Sequence, residues 1–134
     1  MTDMLPDGIR ILVVDDDPDL LMLLSKMLER IGTPPTTALN GVEGLKLLEE
    51  NHFDLLILDL MLPDMDGFDI LRQIREDQRY DTMPVLILSA LADPDTISEG
   101  LDLGADGYLT KPYLPNTLTS RVRAILAKGR QKAS

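Results

Sequence analysis

Three short runs of apolar residues constrain this chain more than any other feature. They are Ile11-Leu12-Val13-Val14, Leu55-Leu56-Ile57-Leu58 and Val85-Leu86-Ile87-Leu88. A strand that is apolar on both faces belongs inside a parallel sheet with helices on either side. Each run also stops at a polar residue. The first strand, read as Ile9 to Val14, meets Asp15-Asp16-Asp17, the second meets Asp59, and the third meets Ser89-Ala90. Chemistry is thereby gathered at the C-terminal edge of the strands, where open α/β sheets bind their ligands.

Helix signals fill the gaps. Asp17-Pro18 reads as an N-cap with proline at the first helical position, and Leu20, Leu21, Leu24, Met27, Leu28 and Ile31 follow at helical spacing, with Gly32 as the C-cap. A weak strand, Thr33 to Leu39, carries Pro34 and Pro35 and suits a sheet edge. Asn40-Gly41 opens a helix to about Asn51, and Asp54 to Leu58 is the third strand. A helix over Gly67 to Glu76 and a polar loop from Gln78 to Met83 lead to the fourth strand. Asp93-Pro94 starts the next helix and Gly104 closes it. Tyr108 to Thr110 is a short fifth strand, and Asn116 to Lys128 the last helix. The alternation predicts an α/β fold with five strands and five helices.

With 134 residues the chain reads as one domain, residues 9–128. Residues 1–8 form an N-terminal extension, and 129–134 a basic tail or the start of a linker. There is no cysteine, which excludes disulfides, thiolate metal sites and a cysteine nucleophile. No apolar run approaches the roughly 18 residues of a membrane span, and the first residues lack the pattern of a secretion signal. The expected setting is cytoplasmic, away from membranes. A net charge of −10 argues against direct nucleic-acid binding by this domain.

The strand ends bring together Asp15, Asp16, Asp59, Ser89 and Lys111. Carboxylates this close repel one another unless a cation offsets them. Mg²⁺ is the natural partner, since it binds through one or two carboxylates and accepts a phosphate oxygen. One carboxylate would then be able to attack a phosphoryl group, with the hydroxyl and the ammonium holding phosphoryl oxygens. Other polar residues have simpler readings. Asp17 is a helix cap, Asp64 and Asp66 form a turn, and His52 lies on the surface.

Val13-Val14-Asp15-Asp16-Asp17, Leu58-Asp59-Leu60-Met61-Leu62-Pro63-Asp64-Met65-Asp66-Gly67, Ser89-Ala90 and Gly104-Ala105-Asp106-Gly107-Tyr108-Leu109-Thr110-Lys111-Pro112 stand in one order. In these motifs the chain resembles the receiver domain of bacterial two-component response regulators, over about Ile9 to Lys128. The resemblance implies a flavodoxin-like, doubly wound sheet of order 2-1-3-4-5. It implies Asp59 as phosphoacceptor, Asp16 as direct Mg²⁺ ligand with Asp15 assisting, and the Met61 carbonyl as a further ligand. Ser89 and Lys111 would bind the phosphoryl group, and Tyr108 would be a switch aromatic that turns inward when Ser89 moves. A cis Lys111-Pro112 bond is implied as well. The implied donor is a histidine kinase or a histidine phosphotransfer protein. The implied output is a changed surface on the fourth helix, fifth strand and fifth helix, through which a homodimer can also form. Relatives with winged-helix outputs carry dimer-forming acids where this chain has Gly107 and Thr117. Met61 and Leu91, at the positions that tune hydrolysis in the family, are apolar and point to a long-lived phosphoryl state.

On this reading the protein is a signalling switch, not an enzyme. A haloacid-dehalogenase-like phosphatase would need its second acid at the position of Met61. A dinucleotide site would need a glycine-rich turn where Asp15-Asp16-Asp17-Pro18 stands. A receiver-like module that binds partners without phosphorylation predicts loss of Asp16, Asp59 or Lys111, and all three are present.

Overall fold

The computed structural model describes residues 4–130. Its elements run β1 (Ile11–Val14), α1 (Pro18–Arg30), β2 (Thr36–Ala38), α2 (Gly41–Glu50), β3 (Leu55–Asp59), α3 (Gly67–Glu76), β4 (Val85–Ser89), α4 (Pro94–Asp102), β5 (Gly107–Thr110) and α5 (Pro115–Lys128). The strands form one sheet in the order β2-β1-β3-β4-β5, and every pairing is parallel. This is the doubly wound order that the resemblance implies.

The apolar runs divide their side chains between two cores. Leu12, Val14, Leu56, Leu58 and Ile87 face one way, with Leu48 of α2 and Ile70, Leu71 and Ile74 of α3. Ile11, Val13, Leu55, Ile57, Leu86 and Leu88 face the other way, against Leu24 and Leu28 of α1 and Leu118 and Val122 of α5. Alternate residues of a strand point to opposite faces, so a sheet covered on both sides needs apolar residues at every position. Each fully buried leucine or isoleucine contributes about 1.5–3 kcal/mol of transfer free energy.

Helix ends follow the sequence signals closely. The Asp17 carboxylate accepts the N–H groups of Asp19 and Leu20, and Pro18 occupies the first turn of α1. Asp93 caps α4 through Thr96 N–H, and Asn40 caps α2 through Glu43 N–H. The α1 cap residue is Ile31, not Gly32, which follows it at φ +96°. That left-handed position favours glycine.

The boundaries shift by small amounts. β1 begins at Ile11 because the exposed Arg10 uses its N–H on the Asp54 carboxylate, 2.8 Å away. β2 shrinks to Thr36–Ala38, since Pro34 and Pro35 cannot donate to the ladder. β3 and β4 each extend one residue further than expected, to Asp59 and Ser89, so the polar residues belong to the strands themselves. Part of the expected loop after α3 is a 3₁₀ turn, Gln78–Tyr80.

Candidate functional site

Strand register assembles the site. Val14 pairs with Leu58, Asp59 with Leu88, and Ser89 with Thr110. One step beyond these pairs Asp15 comes beside Asp59, and Lys111 follows β5. The Lys111 N–H donates to the Ser89 carbonyl over 2.9 Å, which continues the β4–β5 ladder past its last pair. Asp15, Asp59 and Ser89 are 1%, 6% and 0% exposed, whereas Asp16 is open to solvent.

The Lys111 ammonium lies between the two buried acids. Its Nζ is 2.7 Å from Asp15 Oδ2 and 3.3 Å from Asp59 Oδ2. The remaining oxygens are held by the backbone. Asp15 Oδ1 accepts Asp17 N–H at 3.0 Å, and Asp59 Oδ1 accepts Met61 N–H at 3.1 Å. Burial pushes the Asp59 carboxyl above the ordinary carboxylate range, against the pull of Met61 N–H and Lys111 and reinforced by the charge of Asp15. Burial draws the Lys111 ammonium down, but the bond to Asp15 and the charges of both acids outweigh it, so its pKa ends raised.

An acid whose folded pKa is raised holds its proton longer in the folded chain. Its contribution therefore disfavours folding above that pKa and fades as pH falls through it. In a chelator at neutral pH, Asp59→Asn is expected to melt a few degrees higher than wild type. The gap should close as pH falls through the raised Asp59 pKa toward about 4. Equal melting temperatures at pH 7.5 would refute this.

Asp15, Asp16 and Asp59 offer ligand oxygens that all lie within 4.8 Å of one another. Among the described residues nothing donates to the Asp16 carboxylate, which is free to bind. Two of the three carboxylates share one ammonium, and every donor is a hard oxygen. The set fits Mg²⁺ and not a soft thiophilic metal.

Ser89 and Tyr108 meet at Leu91. Ser89 Oγ accepts Leu91 N–H at 3.1 Å, and Tyr108 Oη donates to the Leu91 carbonyl at 2.6 Å. Tyr108 is 8% exposed and packs in the core beside Ile87, so its ring is already turned inward. The Lys111-Pro112 peptide is cis.

The remaining acids are spread more widely. Asp17 and Asp66 act as helix caps, and His52 is exposed and pairs with Asp54 at 3.3 Å. Asp64 does more than shape a turn. Its two oxygens accept the N–H groups of Gly41 and Val42 at 2.8 and 2.9 Å. Tyr113 went unnoticed in the sequence. It packs with Leu20 against the α1/α5 core, its buried hydroxyl has no partner among the described residues, and burial followed by the charge of Asp15 pushes it up to about 12. An aromatic directly after Lys111-Pro112 was the available signal.

No helix among the described residues is long and apolar enough to cross a membrane. The family model for the response regulator receiver domain matches residues 11–123. The DNA-binding dual master transcriptional regulator RpaA of Synechocystis sp. is 43% identical over 119 residues, which is 89% of this chain and 49% of that protein. The Francisella response regulator 1452 receiver domain superposes with a TM-score of 0.84 at 36% identity, covering 90% of this chain and 98% of that one. The chemotaxis response regulator CheY4 of Vibrio cholerae gives 0.82 at 32%, covering 87% and 98%. The chain belongs to the response regulator receiver domain family of two-component systems. It spans about half the length of the curated relatives it matches.

Proposed function

We propose that this chain is a phosphorylation-dependent switch in which Asp59 accepts a phosphoryl group from a histidine kinase or a histidine phosphotransfer protein. The observation that carries the proposal is the convergence of Asp15, Asp16 and Asp59 within 4.8 Å, with the Lys111 ammonium between the two buried acids. An Asp59 oxygen attacks phosphorus, the bond to the imidazole nitrogen breaks, and an acyl phosphate forms. Mg²⁺, held by Asp15, Asp16, Asp59 and the Met61 carbonyl, supplies charge neutralisation for the phosphoryl oxygens when bound.

The protein's own groups do the rest. Lys111 needs to swing only from one neighbouring oxygen to another to pair with the new group. The Ser89 hydroxyl accepts from Leu91 and keeps its own proton to donate. The phosphoryl group adds about −1.5 to −2 charge. Ser89 and Lys111 are drawn to it, and the Leu91 segment, bonded to both Ser89 and the already inward Tyr108, moves with Ser89. The surface of α4, β5 and α5 thereby changes population, with residues 9–128 acting as the switching unit. That surface controls a partner or an output domain, and is also where a homodimer would form. Relatives named as transcriptional regulators favour an output that acts on transcription. A kinase donor and a cysteine-free chain fit the cytoplasm.

Intact mass after incubation with acetyl phosphate and Mg²⁺ tests the reading. Wild type is expected to gain one phosphoryl group and Asp59→Asn none. If neither gains it and a cognate kinase also fails to transfer, the switch reading falls. A second expectation concerns lifetime. Met61 is 56% exposed and Leu91 37% exposed, and bulky apolar groups at these positions hinder an in-line water. The phosphoryl state should last many minutes, and Met61→Asn should shorten it. Decay within seconds in wild type would contradict this.

A further inference from the structure

The loop that follows Asp59 is held in its middle by a helix to which the sequence gives no obvious link. Residues 60–66 form neither helix nor strand beyond one bridge, Met61 with Asp66. Both ends are fixed, by the Asp59 carboxylate on Met61 N–H and by Gly67 N–H on the Leu60 carbonyl at 2.9 Å. In the middle, both Asp64 oxygens bond the first N–H groups of α2, at 2.8 and 2.9 Å. Those N–H groups have no acceptor within their own helix, and the helix dipole favours a carboxylate there. The two donors hold the Asp64 carboxyl below its ordinary range. Asn40, the local N-cap, serves a different N–H, that of Glu43.

An apolar contact reinforces this clamp. A Cβ at Gly41 would lie 2.8 Å from Met65 Sδ, so the loop's methionine sits directly against the start of α2. The helix is fixed in turn to the strand that bears the other acids. A Cβ at Gly44 would lie 2.8 Å from a methyl group of Val14, the residue before Asp15. A continuous set of contacts therefore runs from Asp15 and Val14, through α2 and Asp64, to Met61 and Asp59.

We propose that Asp64 is a positioning residue for the phosphoacceptor site: it holds loop 60–66 against α2, so that Met61 keeps its N–H on Asp59 and its carbonyl toward the cation. The inference rests on the metal-assisted reading above. Asp64 touches neither the cation nor the phosphoryl group, and acts by fixing the two halves of the site relative to each other.

The test is Mg²⁺ affinity by calorimetry, with melting temperature measured alongside, on the full chain. Asp64→Ala is expected to weaken Mg²⁺ on the order of tenfold. Asp64→Asn, which keeps one acceptor oxygen and the same shape, should weaken it less. Asn40→Ala removes a cap from the same helix and should lower the melting temperature while leaving Mg²⁺ affinity unchanged. Wild-type affinity in both Asp64 variants, or an equal loss in Asn40→Ala, would overturn the proposal and leave the metal reading standing. Equal binding by wild type and Asp16→Asn would overturn the metal reading, and this inference with it.

Discussion

Gly67→Ala is expected to destabilise the protein by about 3 kcal/mol or more and to disturb the loop that follows Asp59 in the same step. A Cβ at Gly67 would lie 2.4 Å from Leu60 Cα and 2.9 Å from the carbonyl oxygens of Asp59 and Leu60. All three are backbone atoms, so no side chain can turn aside. Relief requires α3 to retreat from the end of β3, which breaks the Gly67 N–H bond to Leu60. Gly44→Ala is the informative comparison. It meets only Val14 side-chain atoms, and alanine gains about 1 kcal/mol of helix propensity over glycine. Urea midpoints should therefore fall far more for Gly67→Ala than for Gly44→Ala. Similar midpoints would show that the α3 junction yields easily.

The second large effect is expected at the opposite edge of the sheet. Arg75 is 11% exposed at its side chain and fans out over three acceptors. Nε donates to the Gly104 carbonyl at 2.9 Å, Nη1 to the Tyr80 carbonyl at 3.0 Å, and Nη2 to Asp106 Oδ2 at 3.1 Å. Asp106 also accepts Val85 N–H at 2.8 Å and Arg130 Nη1 at 2.9 Å. Burial, with the neighbouring charge of Arg130, lowers the Arg75 pKa to about 10, which still leaves it charged at neutral pH. Removing a buried ion-pair partner strands the groups it satisfied, at about 3–5 kcal/mol. Arg75→Met should approach that loss. Arg79→Met should barely register, because Arg79 pairs with Asp77 and Glu49 in open solvent. Denaturant midpoints of the two variants decide the matter, and equal shifts would refute it.

Both networks mark where sequence reasoning stops. The strands were legible because a buried parallel strand leaves an unbroken apolar run, and β1, β3 and β4 have one. The caps Asp17, Asn40 and Asp93 were legible because a capping side chain bonds backbone three residues or fewer away. The carboxylate cluster was legible because parallel strands align their C-terminal ends. Asp64 lies 23 positions from Gly41, and Arg75 lies 31 from Asp106. Such contacts depend on how loops lie across a finished sheet, and no local pattern encodes them. The weakest strand, β2, was blurred for a different reason: its prolines and threonines carry little apolar signal, and its position comes from pairing with β1. The inward ring of Tyr108 also depends on packing, since it is set by the Leu91 carbonyl.

The location of Lys111 bears on how a growing chain matures. It stands 96 positions after Asp15 and 52 after Asp59. Synthesis runs from the N-terminus, but a single domain folds as a unit, so the site closes only once its last strand has been made. Asp15 and Asp59 therefore gather in a chain that already holds the ammonium that sits between them. A chain stopped short of the last strand would have to bring the like charges together with dissolved cations as their only shield.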